Sequence, residues 1–125
     1  MAIRSITSGG FAAAGTRTNF LSALIVHPIR PLSIVIQYDG ATLGDSFNVF
    51  LTKSDVPIDL PQPGDESALD IRDFSLTITA ATIIPIPLFI RETVTRNHRL
   101  GFSFNNTGTA ARNVLATLIY EDKSF

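Results

Sequence analysis

Apolar and polar residues alternate along several short segments of the chain, with turn-forming residues between them. In residues 32–38, Leu32, Ile34 and Ile36 fall on one face of an extended backbone. Residues 46–51 alternate in the same way. A period of two is typical of β-strands that bury one face, and no segment combines helical periodicity with capping residues. The pattern therefore predicts an all-β protein.

The spacing of these segments predicts seven or eight strands in two antiparallel sheets. The long connection over residues 53–65 contains three prolines, so it is not expected to form a helix or a central strand. With such a connection, a jelly-roll-like β-sandwich is the leading fold. An immunoglobulin-like sandwich is the alternative, although the chain lacks the Cys and Trp residues that mark its core.

Three local features refine the expected strands. The apolar parity of residues 68–80 changes near Arg72 and Asp73, which predicts a bulge or a bend there. Pro85 and Pro87 lie two residues apart, so their missing donors face the same side, which is tolerable on an unpaired edge. Residues 112–120 are apolar at both parities, which predicts a strand that is central or covered on both faces.

The first 19 residues differ from the rest of the chain. Gly9, Gly10 and Gly15 carry a high cost in backbone entropy, so residues 1–19 are expected to form a flexible N-terminal arm. Residues 20–125 then form a single β-sandwich domain. The arm is either a frayed terminus or a segment that orders against a neighbouring subunit. In the second case its apolar residues Ile3, Ile6 and Phe11 are interface residues.

The composition favours assembly and argues against several partners. The 125 residues are 45% hydrophobic and only 17% charged, so part of the surface is expected to be hidden against other chains. The net charge of −1 gives no basic field for nucleic acid. No apolar segment is long enough for a membrane helix, so no membrane span is expected. Cysteine is absent, which excludes disulfides and thiolate metal sites.

Residues suited to catalysis or metal binding are scarce. His27 ends an apolar segment and His98 is expected in a polar surface turn, and neither has a second ligand at metal-binding spacing. We expect no enzymatic activity and no cofactor. Most acidic residues lie between positions 39 and 73, which is read as a solvated acidic loop. The alternative for that loop is calcium binding. Its candidate ligands are Asp55, Asp59, Asp65 and Glu66.

Basic residues are concentrated in the second half of the chain. Arg91, Arg96 and Arg99 surround the polar segment before residues 100–104. They are candidate interface residues that complement the acidic central span across subunit contacts. Pairing of the same charges within one chain is the alternative.

The end of the chain resembles a family of viral proteins. Residues 84–91 read Ile-Pro-Ile-Pro-Leu-Phe-Ile-Arg, residues 100–106 form a strand ending in two asparagines, and residues 114–120 form the last strand. This succession over residues 83–122 is similar to small jelly-roll virion proteins of icosahedral bacteriophages, of the penton and the cement or decoration types. The resemblance implies a homo-oligomer, a trimer or pentamer, that contacts the major capsid protein in the virion.

Two functions are compatible with these patterns. The first is a structural virion protein that self-assembles in the host cytoplasm and stabilises a phage capsid. The second is a non-enzymatic β-sandwich module that binds a ligand or a carbohydrate. Carbohydrate sites expose flat aromatic rings, and this chain has no Trp and two Tyr, so the structural role ranks first.

Overall fold

Eight antiparallel strands form the fold in a computed structural model, which describes residues 2–52, 68–76, 79–88 and 98–123. The strands are β1 (Ala2–Ala12), β2 (Arg17–Ile25), β3 (Ile29–Gly40), β4 (Ser46–Thr52), β5 (Ala68–Ser75), β6 (Ala80–Pro87), β7 (His98–Asn105) and β8 (Arg112–Asp122). The predicted all-β class is therefore confirmed.

The strands form two four-stranded sheets. The first sheet has the order β1-β8-β3-β6 and the second has the order β2-β7-β4-β5, with every neighbouring pair antiparallel. The chain passes from one sheet to the other after most strands, so strands adjacent in space are distant in sequence. This arrangement of eight strands in two packed sheets is a jelly roll. It confirms the predicted jelly-roll-like sandwich.

The core lies between the two sheets and follows the predicted alternation. Phe47, Val49 and Leu51 of β4 are buried on the inner face, opposite Phe102 and Phe104 of β7. The ring of Phe102 meets the rings of Phe47 and Phe104 edge to face, at centroid distances of 5.9 and 6.3 Å. Edge-to-face contact stabilises aromatic pairs beyond the apolar area that they bury.

Three local predictions about the strands are confirmed. Strand β8 is central, between β1 and β3. Strand β6, which carries Pro85 and Pro87, is an edge strand, and among the described strands it pairs with β3 alone. The pairing of β4 with β5 shifts between Val49 and Phe50, which leaves Ile71 as an extra residue beside the predicted bulge position.

The expected flexible arm over residues 1–19 is corrected by the structure. Residues 2–12 form β1 and pair with β8 along its whole length, and β2 begins at Arg17, so the sandwich starts at Ala2 rather than at residue 20. Gly9 serves close approach to β8 instead of flexibility. Gly9 has φ +149°, and a Cβ placed there would lie 2.2 Å from the carbonyl oxygen of Val114. A strand with a side chain at this position could not pair so closely with β8.

Two buried serines differ in how their hydroxyls are satisfied. Ser22 Oγ accepts a hydrogen bond from the Leu100 amide at 2.8 Å, whereas Ser8 Oγ has no hydrogen-bond partner among the described residues. We expect Ser8→Ala to raise the free energy of unfolding by up to about 1 kcal/mol, because it removes an unsatisfied buried hydroxyl. Ser22→Ala should lower the free energy of unfolding by about 1–3 kcal/mol, because the buried amide of Leu100 would lose its acceptor. Urea denaturation measures both, and a loss of stability in Ser8→Ala would contradict the assignment.

Candidate assembly surface

Between charged residues at its two ends, the outward side of the first sheet is a broad face without charged side chains. Residues of the opposite parity on the same strands, such as Ile34, Ile36 and Leu118, point into the core. The outward residues, called here the outer sheet face, are Ile3, Ser5, Thr7, Gly9 and Phe11 of β1, Asn113, Leu115, Thr117 and Ile119 of β8, Ser33, Val35 and Gln37 of β3, and Ala81, Ile83, Pro85 and Pro87 of β6. None of these positions holds Asp, Glu, Lys or Arg.

Large apolar side chains on the outer sheet face are exposed to solvent. Ile3 is 56% exposed, Phe11 65% and Ile83 62%, and Leu115 is exposed between them. Scattered exposed apolar residues are normal, but a contiguous patch bounded by polar groups is typical of an interaction site. The spacing of strands and residues gives the outer sheet face an area of roughly 600 Å². That is below the ~800 Å² that each partner buries in a standard interface.

A shallow groove crosses one end of the outer sheet face. It has a volume of about 430 Å³ and lies between β3, β6 and β8, with Gln37, Ile83 and Leu115 among its lining residues. At its polar end Asp39 accepts hydrogen bonds from the amide and side chain of Asn113 at 3.0 and 3.2 Å. The carboxylate is therefore already engaged, and the rest of the groove is mainly apolar.

Charged residues close the opposite end of the outer sheet face. Arg30 donates to Glu121 Oε2 at 2.8 Å, and Lys123 donates to Glu121 Oε1 at 3.1 Å. The hydrogen bond from Arg30, and then that from Lys123, hold the pKa of Glu121 below its ordinary value. On the core side of the same end, Arg4 pairs with the buried carboxylate of Asp122 at 2.9 Å.

The Glu121 cluster makes stability depend on pH in the acid range. Because the folded pKa of Glu121 is lowered, its contribution is fully present above the ordinary value of 4.5 and is lost as pH falls through the folded pKa. We expect Glu121→Gln to lower stability at neutral pH and to flatten the acid dependence. Urea denaturation at a series of pH values measures both. Equal slopes in the variant and the parent protein would contradict this role.

Two of the three apolar residues expected to form an interface point outward. Ile3 and Phe11 lie near the two ends of β1 on the outer sheet face. Ile6 has the opposite parity and packs against the core. The three residues were predicted as one group because a flexible arm has no fixed faces. In a paired strand, odd and even positions point to opposite faces of the sheet.

The basic and acidic candidates fall largely outside the described residues. Arg91, Arg96, Asp55, Asp59, Asp65 and Glu66 all lie there. Arg99 is described, and its guanidinium donates to the carbonyl oxygen of Ser22 at 3.1 Å, which ties β7 to the bulge in β2. Within the described part of the chain, no three His, Asp or Glu side chains are grouped as a metal site would require. His98 is the first residue of β7 and is buried, not in a surface turn.

Comparison with known protein families and with curated proteins finds no match to the sequence. Among the solved structures to which this chain is similar are two of infectious bursal disease virus. The structure of infectious bursal disease virus, Gx strain, is 9% identical with a TM-score of 0.42, over 98% of this chain and 33% of that chain. The crystal structure of the infectious bursal disease virus VP2 subviral particle is 11% identical with a TM-score of 0.44, over 96% and 33%. This chain thus spans a third of either protein. At this level of similarity neither structure bears on its function.

Among the described residues, no helix has the length and apolar character needed to cross a membrane.

The sequence missed several residues of the outer sheet face. Val35, Ile83 and Leu115 come from three different strands, and only the sheet order brings them onto one surface. One signal was present, because β8 is apolar at both parities. That pattern predicted a strand that is central or covered on both faces. Strand β8 is central, and Leu115 on its outer face is exposed in the single chain.

Proposed function

We propose that this protein is a structural virion protein of a bacteriophage capsid, of the cement or decoration type or a penton component. It self-assembles as a trimer or pentamer in the host cytoplasm, contacts the major capsid protein and stabilises the shell in the virion. The observation that supports this proposal most directly is the uncharged outer sheet face with its exposed apolar residues.

The chemistry of the outer sheet face supports binding to another protein. Burying Ile83, Leu115 and Phe11 would remove large apolar areas from water, which favours association by about 25 cal/mol for each Å². The charged residues lie at the two ends of this face, so its middle can be buried without desolvating a charge. The proposed role requires no catalytic group.

A module that binds a small ligand is the second candidate, and the groove is the feature that favours it. Its volume of about 430 Å³ is within the range of small-molecule sites. However, its aromatic residue Tyr38 is buried against the core, so no flat ring is presented to a sugar. Asp39 is engaged by Asn113, which leaves few free polar groups to orient a ligand. Assembly therefore explains more of the surface.

Sedimentation and shell binding test the proposed function. We expect the purified protein to sediment as a trimer or pentamer and to co-sediment with capsid shells of its own phage that lack it. Ile83→Lys places a charge beside the groove of the outer sheet face and should reduce shell binding or oligomer formation at least tenfold. Leu43→Lys is the matched control, since Leu43 is 71% exposed but lies in the loop between β3 and β4.

Two outcomes would overturn the proposal. One is a strict monomer over a wide concentration range that does not bind shells. The other is an equal effect of the two lysine variants, which would show that the outer sheet face has no special role. Saturable binding to a glycan array by such a monomer would favour the ligand-binding module instead.

A further inference from the structure

The two edges of the first sheet differ in their capacity to accept another strand. Leu88 donates its amide hydrogen to the Leu32 carbonyl at 2.9 Å, so even-numbered residues of β6 bond to β3 and odd-numbered ones face outward. Pro85 and Pro87 are therefore at outward positions, where they offer no donor. Proline at such positions blocks the addition of a strand. The β6 edge is closed.

The β1 edge has no such protection. The same alternation continues from β3 through β8 to β1. Even-numbered residues of β1 therefore bond to β8, and the amide groups of Ile3, Ser5 and Thr7 face outward. Asn113 donates its amide hydrogen toward β3, to Asp39, as this alternation requires. The three β1 residues are exposed, and among the described strands only β8 pairs with β1. Residues 2–12 contain no proline, and Arg4 is their single charged residue.

We infer that β1 pairs with β1 of a second copy of this chain, antiparallel and centred on Thr7, so that the two first sheets become one eight-stranded sheet. In this register, Thr7 meets its own equivalent and Ser5 lies opposite Gly9 of the second copy. Ile3 lies opposite Phe11 of the second copy, and the pair recurs at the other end. An aromatic ring opposite a β-branched side chain is a favourable cross-strand pair. The two exposed large apolar residues of β1 thus contact each other across the pair.

A second copy fits this edge better than an unrelated strand because β1 is self-complementary. Its two large exposed residues are equally distant from Thr7, so a two-fold axis brings each against the other. Growth also stops after one addition, since the β6 edge on the far side of each copy is closed by proline. A symmetric contact of this kind is isologous and joins two copies without forming an open fibre.

The paired sheets also strengthen the surface on which the proposed function depends, and to this extent the inference rests on that function. Two outer sheet faces would merge into one face of roughly 1,200 Å² with charged residues only at its ends. That exceeds the ~800 Å² that each partner contributes to a standard interface. Because a two-fold contact cannot build a trimer or pentamer, it links copies from neighbouring oligomers.

Single cysteines test the register directly, because the chain contains none of its own. In the proposed pair, the Cα atoms of the two Thr7 residues would be about 5.5 Å apart, within the range that a disulfide spans. We expect Thr7→Cys to form a covalent dimer on mild oxidation in at least half of the chains. Ser5→Cys is the control, since the two Ser5 residues would be roughly 13 Å apart. Cross-linking of Ser5→Cys without Thr7→Cys would overturn the register, and cross-linking of neither would overturn the inference.

A proline at the β1 edge tests the hydrogen bonds. Ser5→Pro removes an outward donor, as Pro85 and Pro87 do in β6, and should leave the monomer folded while weakening β1 pairing at least tenfold. Ser5→Ala should change nothing. Ile3→Lys alone and Phe11→Glu alone should each weaken pairing, and the double variant should restore it, because the opposite charges would meet across the two-fold axis. Unchanged pairing in Ser5→Pro, or no recovery in the double variant, would contradict the proposal.

The outcomes separate this inference from the proposed function. If Thr7→Cys does not cross-link but Ile83→Lys abolishes shell binding, the edge contact is wrong and the structural role stands. If Thr7→Cys cross-links but the protein binds no shell, the edge contact stands and the structural role is wrong.

Discussion

Asp45→Ala should lower the free energy of unfolding by about 3–5 kcal/mol, among the largest effects of any single substitution in the described part of this protein. Asp45 lies just before β4 and is completely buried. Its Oδ2 accepts the Thr42 amide at 2.8 Å, and its Oδ1 accepts both the amide and the hydroxyl of Thr107 at 2.8 and 2.6 Å. One carboxylate thus joins the β3–β4 and β7–β8 connections.

The size of the effect follows from what the substitution leaves behind. Each hydrogen bond to a charged group contributes about 1.5–3 kcal/mol, and stranded donors in a buried site cost more than exposed ones. The backbone of Asp45 also forms hydrogen bonds with the backbones of Thr42 and Leu76. These bonds do not involve the side chain, so the turn should stay attached to the end of β5 unless the whole loop moves. Asp45→Asn should lose about half as much, because the amide retains one acceptor oxygen.

Asp39→Ala is the matched control for Asp45→Ala. Asp39 also accepts two hydrogen bonds, both from Asn113, but it is exposed at the rim of the outer sheet face. Water replaces the lost partner there, so we expect a loss of about 1 kcal/mol or less. Urea denaturation at constant pH measures both variants. Losses of similar size would show that Asp45 has no special role as a link between the loops.

Period-two alternation was sufficient to predict the fold class. In residues 46–51 and 100–104 the large apolar residues of one parity, such as Phe47, Val49 and Phe102, belong to the core between the sheets, and sequence alone shows this parity. The two prolines of β6 correctly predicted an edge strand, because proline has no backbone N–H to donate to a neighbouring strand in any sheet. Strand order was not predictable, because it depends on contacts between residues such as Ile36 and Ala116 that are far apart in the chain.

The assembly surface could be predicted only in part. Ile3 and Phe11 were found because large apolar residues stood out in a segment of small ones. Ile83 resembled any other strand residue until β6 was placed beside β3. Asp45 was counted with a solvated acidic span, since its burial follows from Thr107, a residue 62 positions away. Charge and composition describe a segment, whereas burial depends on the elements that pack against it.

Gly9 was expected in a flexible arm, but it lies in β1 and allows that strand to pair closely with β8. Gly9→Ala should lower the free energy of unfolding by about 3–5 kcal/mol, from φ strain of about 1–3 kcal/mol and a steric clash. The added Cβ would lie 2.2 Å from the Val114 oxygen and 2.8 Å from the Leu115 Cα, and neither backbone atom can move without opening the β1–β8 ladder. The variant should therefore detach β1 and turn it into the flexible arm that the sequence suggested.

Gly15→Ala separates the two causes, because Gly15 also has a positive φ, of +69°, but nothing lies within 4 Å of its added Cβ. The strain alone should then cost about 1 kcal/mol. Urea denaturation compares the two variants, and trypsin cleavage after Arg4 reports whether β1 has detached. We expect rapid cleavage in Gly9→Ala and slow cleavage in Gly15→Ala. Equal stability losses, or protection of Arg4 in both variants, would mean that β1 tolerates a side chain at position 9 and that its close approach to β8 does not depend on glycine.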